Sequence, residues 1–182
     1  MAALLSPRDM PLLASSRAAF GAGAMICALL LGYGFFLQYV RGLEPCPLCL
    51  VQRAFFFAVM VVFIFGALHA RWKGFYGTLG AVFAAGGAAV AGRQVWLQHL
   101  PADKVPQCGP DLYFMMENFP VSRTLQTLFS GTGECAVVDW TFLGLSIAEW
   151  SLAWFLALVA YSLWVALRAP IRGQGRNYSR AA

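Results

Sequence analysis

Charged residues are scarce in this sequence of 182 residues, and their scarcity excludes most soluble folds. Asp, Glu, Lys and Arg together make up 12% of the chain, whereas hydrophobic residues make up 60% and the mean hydropathy is +0.66. A soluble domain needs more charge than this to cover its surface. The formal charge of +5 comes from basic residues scattered among apolar runs, without the Lys/Arg-rich stripe of a nucleic-acid-binding protein. We therefore expect a membrane protein with no nucleic-acid partner.

The apolar residues are concentrated in four long runs. A helix needs about 20 residues to cross roughly 30 Å of hydrocarbon, and each run reaches that length. The first run exceeds the apolar region of a signal peptide and has no clear small-x-small cleavage site, so we expect a retained span. The sequence predicts an all-α membrane protein, a four-helix transmembrane bundle forming one domain over residues 1–182. Its expected spans are Ala18–Tyr39, Cys49–Leu68, Phe75–Val95 and Ile147–Leu167.

The distribution of basic residues predicts the orientation of these spans, because Lys and Arg near span ends are retained in the cytoplasm. The side that carries both termini holds Arg8, Arg17, Arg71, Lys73, Arg168, Arg172, Arg176 and Arg180. The opposite side holds Arg41, Arg53, Arg93, Lys104 and Arg123, two of them in a long loop that counts weakly. We expect both termini in the cytoplasm and outer loops at about 40–48 and 96–146.

The long outer loop contains apolar residues at helical spacing on either side of Pro120. They are Leu112, Met115, Met116 and Phe119 before the proline, and Leu125, Leu128 and Phe129 after it. The spacing predicts two short helices. Such helices either lie in the membrane interface or pack on the bundle, and periodicity favours neither arrangement over the other.

A C-x-x-C motif, Cys46-Pro47-Leu48-Cys49, opens the second span. Proline suits the first helical turn because its missing N–H would be unpaired there, and a helix N-terminus favours a thiolate over a thiol. Arg53 follows Cys49 by one helical turn, which would place a cation near either sulfur or a ligand docked beside them. The alternative for Arg53 is a membrane anchor whose head reaches the lipid headgroups. The motif indicates a redox pair with a reactive thiolate.

Other interpretations of the cysteines are weaker or stay open. A zinc site would need four reduced thiols to converge in an oxidising compartment, so we expect no metal. A disulfide within the C-x-x-C would close so short a loop that it would constrain the unfolded chain little, which argues against a purely structural role. Cys108 and Cys135, in the long loop, fit either a structural disulfide or a second exchanging pair, and the sequence does not choose between pairings. Cys27 lies within the first span and is expected to be inert packing.

Taken together, these motifs resemble the DsbB family of disulfide bond formation proteins. The resemblance rests on Glu44-Pro45-Cys46-Pro47-Leu48-Cys49 with Arg53, on Cys108 and Cys135, and on Trp140-Thr141-Phe142-Leu143-Gly144-Leu145 before the last span. It extends from the first span to the fourth. The combination and order of these features are specific, whereas each alone is not.

The resemblance implies a membrane thiol oxidoreductase of the bacterial inner membrane, with its active site facing the periplasm. A reduced DsbA-like thioredoxin-fold protein would attack a Cys108–Cys135 disulfide at Cys108. Cys135 would then form a transient bridge with Cys46, leaving Cys49 as the thiolate that faces a quinone. The implied acceptor is ubiquinone, with menaquinone as its substitute, and the implied partners are the DsbA-like protein, quinone and membrane lipid.

Two positions and two rival functions qualify this resemblance. Gln52 stands where some relatives have an acidic residue, and His99 lies near the end of the third span, where the family places a quinone-side histidine, with spacing that does not align cleanly. The rival functions are a vitamin K epoxide reductase-like enzyme, in which the quinone-side C-x-x-C opens a late helix, and a non-enzymatic disulfide-stabilised membrane adaptor. The adaptor gives no reason for Arg53 one turn below the C-x-x-C.

Overall fold

The structure, a computed structural model, describes residues 16–69, 72–106 and 117–167. Four long helices dominate it, and each is long and apolar enough to cross a membrane. They are α1 (Ser16–Arg41), α2 (Pro47–Leu68), α3 (Lys73–Gln98) and α5 (Ile147–Leu167). The predicted fold of four membrane-spanning-capable helices is thus confirmed, and each helix coincides with a predicted span; α5 has the predicted bounds, and α1, α2 and α3 extend a few residues further at one or both ends.

Smaller elements fill the segment between α3 and α5. They are a 3-10 turn (Ala102–Lys104), the helix α4 (Val121–Ser130), a second 3-10 turn (Gly133–Ala136) and the strands β1 (Thr141–Phe142) and β2 (Leu145–Ser146). The strands form an antiparallel hairpin in which Thr141 pairs with Ser146. The second of the two predicted loop helices is therefore present as α4. The first falls largely on residues 107–116, outside the described residues.

The order of packing around the bundle is α1, α2, α3, α5, with α5 also touching α1. The core contains Phe20, Phe63 and Phe155, all fully buried. Cys27 is fully buried in the same cluster, which confirms that it serves as core packing. Many large apolar side chains on the outer faces of the helices are exposed, including Leu29, Phe57 and Leu156. Hydrocarbon is the solvent that suits such a surface.

Helix α4 packs against α2 but leaves apolar side chains uncovered. Val121 is 74% exposed and Phe129 is 51% exposed. Packing on the bundle therefore accounts for only part of the apolar face of α4, and the exposed part is of the kind that contacts a membrane interface.

Helices α3 and α5 approach closely because α3 presents glycine to its neighbour. A Cβ atom added at Gly77 would lie 2.9 Å from the backbone N and Cα of Ala166. A Cβ atom added at Gly87 would overlap the Phe155 ring. Small residues allow this kind of contact between membrane helices, where dispersion rather than the hydrophobic effect drives association.

We expect Gly77→Ala to destabilise the bundle by about 1–3 kcal/mol. The added methyl group would meet the backbone of Ala166, which cannot move aside by a change of rotamer. Gly92→Ala is the matched control: it makes the same change on the same helix, and nothing lies within 4 Å of the added Cβ atom. The midpoint of SDS-induced unfolding in mixed micelles measures both. Equal midpoints for the two variants would contradict the proposed close approach.

Candidate active site

The C-x-x-C motif lies at the start of α2, as its proline predicts. Cys46 is the N-cap residue and Pro47 begins the helix, with the Leu50 N–H donating to the Cys46 carbonyl at 3.2 Å. Cys49 is in the first turn. The Cys46 and Cys49 Sγ atoms are 2.9 Å apart, and both residues are half-buried. The helix geometry thus holds the two sulfurs in contact.

A tight turn after α4 brings Cys135 to the same place. Gly131 has a φ of +79°, and a Cβ atom there would lie 2.8 Å from the side chains of Leu48 and Leu97. Only glycine suits both this backbone conformation and this space. The chain therefore passes directly over the N-terminus of α2 and the C-terminus of α3, and Cys135 is fully buried in a cluster with Leu48 and Leu97.

The thiols of Cys46 and Cys135 lie close together, and their interaction shifts the pKa values of the two thiols in opposite directions. The pKa of Cys135 falls to about 6, first because the Cys46 thiol donates to its sulfur and also because backbone N–H groups of Leu48 and Thr132 do so, against an opposing effect of burial. The pKa of Cys46 is raised, first by its hydrogen bond to Cys135, then by that to Cys49 and by burial. Cys135 is therefore the more acidic thiol of this pair.

Two buried glutamine side chains meet the sulfurs from α2 and α3. Gln52 is 3% exposed and Gln94 is 4% exposed, and the Gln52 Nε2 donates to the Gln94 Oε1 at 2.6 Å. The Gln94 Nε2 lies 3.3 Å from the Cys49 Sγ and 3.4 Å from the Cys46 Sγ. An amide, not a charged group, is therefore the side chain that contacts both sulfurs of the C-x-x-C.

Two cavities of similar size adjoin this cluster. The first, here the polar cavity, has a volume of about 510 Å³ and is lined by Cys46 and Cys49 together with Gln94, Gln98, Glu134 and Asp139, among others. The second, the apolar cavity, has a volume of about 500 Å³ and is lined by Cys49 and Arg53 together with Leu37, Phe56, Trp150 and Trp154, among others. Cys49 lines both cavities and Cys46 only the first. Cys49 is thus the sulfur that connects them.

Arg53 lies on the wall of the apolar cavity, where α1 holds its guanidinium. It donates to the Gln38 side chain and, at 2.9 Å, to the Gly34 carbonyl, and it lies 5.1 Å from the centre of the Phe35 ring. These two hydrogen bonds use two of the five N–H donors of arginine. The cation is therefore fixed toward α1, and it shares a cavity with Cys49 without being among the described hydrogen-bond partners of the sulfurs.

Three of the six predicted site residues, Cys46, Cys49 and Cys135, converge, and Arg53 lies one turn away along the same cavity wall. His99 does not join them. Its ring is exposed, its Nδ1 atom contacts the Val95 carbonyl at 2.8 Å, and it lines neither cavity. Its assignment to a quinone site stays a prediction that this placement does not support. Cys108 lies outside the described residues.

Sequence reasoning missed Gln94, the residue in closest contact with both sulfurs. The sequence does contain an indication of its role, since Gln94 is a strongly polar side chain inside the apolar run that is predicted as the third span. Polar side chains within a span are costly and usually have a polar partner or a functional role. The sequence could not identify that partner, because Gln52 and Gln94 are 42 positions apart.

The loop-to-helix segment completes the site by anchoring α5 beside α3. Ser146 and Glu149 form a capping box at the start of α5, with the Ser146 N–H donating to the Glu149 carboxylate at 2.7 Å. The Ser146 hydroxyl also donates to the Gln98 side chain at 2.8 Å. The hairpin that precedes Ser146 places Trp140 on the wall of both cavities.

Comparison with known proteins agrees with this geometry. The sequence model of the family described as "Disulfide bond formation protein DsbB" matches residues 16–165. A "Disulfide bond formation protein B" of Methylococcus capsulatus is 49% identical over 83% of this chain and 94% of its own length. Proteins of the same name from Hahella chejuensis and Acinetobacter baumannii are 47% and 45% identical, over 88% and 80% of this chain and 99% and 89% of their own lengths. The chain therefore belongs to the DsbB family of disulfide bond formation proteins.

Proposed function

We propose that this protein reoxidises a periplasmic thioredoxin-fold dithiol protein of the DsbA type and passes the electrons through two cysteine pairs to a membrane quinone. The observation that carries the proposal is the position of Cys49 on the wall common to a polar and an apolar cavity. Cys46 and Cys135 lie in contact beside it. A thiol pair placed in this way can receive electrons from one side and release them on the other.

Electrons enter through Cys108 and Cys135 in the proposed sequence of steps. The partner's thiolate attacks the Cys108 sulfur of a Cys108–Cys135 disulfide, forms a mixed disulfide and releases the Cys135 thiolate. The partner's second thiolate then resolves the mixed disulfide. The partner leaves oxidised by two electrons, and Cys108 and Cys135 hold both electrons as thiols. The backbone N–H groups of Leu48 and Thr132 lower the pKa of Cys135 whether Cys46 is a thiol or part of a disulfide, and this suits Cys135 as the leaving group, because a thiol of lower pKa leaves faster.

The second exchange joins Cys135 to Cys46. The Cys135 thiolate attacks the Cys46 sulfur of a Cys46–Cys49 disulfide, a Cys46–Cys135 bond forms, and Cys49 leaves as a thiolate. The Cys108 thiolate then attacks Cys135, restores the Cys108–Cys135 disulfide and frees Cys46. The electron pair has moved to Cys46 and Cys49. The placement of Cys46 beside Cys135 supports this step, because the two sulfurs need little movement to react.

The residues of the apolar cavity fit a quinone. A volume of about 500 Å³ lies within the usual range for small-molecule sites, and aromatic walls with one fixed cation suit a flat ring that carries carbonyl groups. Arg53 would donate to a quinone oxygen from a donor that Gln38 and Gly34 do not use. When bound, a quinone accepts two electrons and two protons. We propose ubiquinone, with menaquinone as its substitute.

The proposed chemistry also fixes the orientation of the molecule. Disulfides persist in the periplasm and not in the cytosol, so the cysteine end of the bundle faces the periplasm. Both termini then lie in the cytoplasm, as the excess of basic residues on their side favours. We propose that the chain is one four-span domain of the bacterial inner membrane.

A turnover assay separates this proposal from its rivals. Purified protein is mixed with reduced DsbA-type protein and a soluble ubiquinone, and quinone absorbance is followed. We expect quinone reduction in step with loss of the partner's thiols. An adaptor would give no turnover. A vitamin K epoxide reductase-like enzyme is disfavoured by the opening position of the C-x-x-C in α2.

Each of the four outer cysteines is expected to be required for this turnover. Serine at Cys46, Cys49, Cys108 or Cys135 should reduce the rate at least about 100-fold, because each step needs its own sulfur. Cys27→Ser is the control, a cysteine in the core away from the sulfur cluster. Full activity in the Cys46 or Cys49 variant would overturn the relay.

Variants of Cys108 or Cys135 should still allow quinone to oxidise the Cys46 and Cys49 thiols. Alkylation of these two thiols after addition of quinone measures this half-reaction.

The pH dependence of Cys135 alkylation is expected to show its thiolate. In the fully reduced protein the rate should be half-maximal near pH 6, since a group with a pKa of about 6 is deprotonated above that pH. Cys46→Ala should move the midpoint upward, because the hydrogen bond from Cys46 is the largest cause of the lowered pKa. Mass spectrometry of the alkylated peptides distinguishes the sites. A midpoint that does not move would contradict this cause.

Arg53 is expected to act at the quinone step. Arg53→Lys and Arg53→Gln should each raise the quinone KM about tenfold or more, because both lose the planar donor fork. The rate of electron entry from the reduced partner, measured at saturating quinone, should change less. Arg93→Lys is the matched control, since Arg93 lies over the Trp96 ring and lines neither cavity. An unchanged quinone KM in both Arg53 variants would leave Arg53 as a membrane anchor.

A further inference from the structure

The side-chain amides of Gln52 and Gln94 are buried beside the Cys46–Cys49 pair, and a hydrogen bond between them restrains both side chains. Gln52 comes from α2 and Gln94 from α3, and the 2.6 Å hydrogen bond between them joins the Gln52 Nε2 to the Gln94 Oε1. Burial of an amide is costly unless its polar atoms are paired. Because the Gln94 Oε1 accepts this bond, the Gln94 NH₂ group is left to donate to the sulfurs, at 3.3 Å from Cys49 and 3.4 Å from Cys46, while the Oε1 lies farther from the Cys49 sulfur, at 3.6 Å.

The contact between Gln94 and the sulfurs depends on their oxidation state. A thiolate is a much stronger hydrogen-bond acceptor than a sulfur in a disulfide, because a hydrogen bond to an ionised group is about twice as strong as a neutral one. The low dielectric of the surroundings strengthens it further. The 3.3 Å contact from the Gln94 Nε2 to the Cys49 Sγ is therefore worth more when the pair is reduced.

No cation takes this role among the described contacts. Every described hydrogen bond to the Cys49 sulfur comes from Cys46 or Gln94. The guanidinium of Arg53 is held by Gln38 and Gly34 on the α1 side. The neutral amide is thus the side chain from outside the C-x-x-C that the structure places on both of its sulfurs.

We propose that Gln94 is the hydrogen-bond donor that stabilises the reduced Cys46–Cys49 pair, and that Gln52 is a positioning residue that keeps its NH₂ group turned toward the sulfurs. This inference rests on the redox role proposed above for the pair. Stabilising the reduced form raises the reduction potential of a disulfide. Gln94 thereby makes the Cys46–Cys49 disulfide a better acceptor of electrons from Cys135.

The test measures the reduction potential of the pair without any partner protein or quinone. The full chain carries Cys108→Ala and Cys135→Ala, so that only the Cys46–Cys49 pair exchanges. It is equilibrated anaerobically in quinone-free detergent with mixtures of dithiothreitol and its cyclic disulfide. Each molecule of dithiothreitol oxidised reduces one Cys46–Cys49 disulfide to two thiols, and alkylation followed by mass spectrometry gives the reduced fraction.

We expect Gln94→Met to lower the equilibrium constant for reduction about tenfold, which is a potential about 30 mV more negative. Gln52→Met should lower it in the same direction by a smaller factor, about threefold, because Gln94 keeps its donor but loses its orientation. Gln126→Met is the matched control: it makes the same change at an exposed glutamine on α4 that lines neither cavity. It should change the constant by less than about twofold.

A Gln94→Met value within twofold of the parent would overturn the role of Gln94, and an unchanged value in Gln52→Met would overturn the positioning role. Where Gln94→Met does not accumulate because Gln52 is left unpaired, the Gln52→Met/Gln94→Met double variant replaces it. The double variant leaves no amide at either position, and it must show the same tenfold fall. Because the assay contains neither quinone nor partner, its failure is distinct from a failure of turnover.

Discussion

The outer end of this bundle depends on the pairing of polar side chains where little water is available to them. An unpaired polar group among membrane helices is costly, so a partner on a neighbouring helix is strongly favoured, although the buried Ser162 hydroxyl has no hydrogen-bond partner among the described residues. Arg53 is bonded to Gln38, Gln52 to Gln94, and Gln98 to Ser146. The first pair joins α1 to α2, the second α2 to α3, and the third α3 to the start of α5. Together they fix the helix ends that hold the sulfurs.

Close packing between the helices sets the distances that these pairs can bridge. Glycine on α3 lets α5 approach until backbone atoms are almost in contact at Gly77 and Ala166. Gly131 does the same for the outer loop, because its positive φ and missing side chain allow the chain to pass over Leu48 and Leu97. Without this turn the chain would not bring Cys135 to the N-terminus of α2. Small residues at a few places thus decide where the reactive groups meet.

The arrangement places the Cys49 sulfur between two chemical environments. Cys46 lines the polar cavity, Arg53 lines the apolar cavity, and Cys49 lines both. Under the proposed function this separation matters, because a protein dithiol would reach the site from water and a lipid-soluble acceptor would reach it from the bilayer. The polar network that holds Cys49 in place therefore has a functional consequence beyond stability.

Local sequence patterns determined the parts of this protein that depend on residues close together in the chain. The four apolar runs required four spanning helices, Pro47 required a helix start beside Cys46, and the order of the motifs by itself indicated the family. Tertiary structure decided which distant side chains meet. Gln94 and Cys49 are 45 positions apart, and no period or spacing relates them. His99, five residues after Gln94 and chosen for its chemistry, is exposed, because the helix ends at Gln98 and the chain turns away there. Contacts between helices depend on how those helices rotate and pack, and pairs of buried polar groups from different helices, such as Gln52 with Gln94, help to fix that rotation.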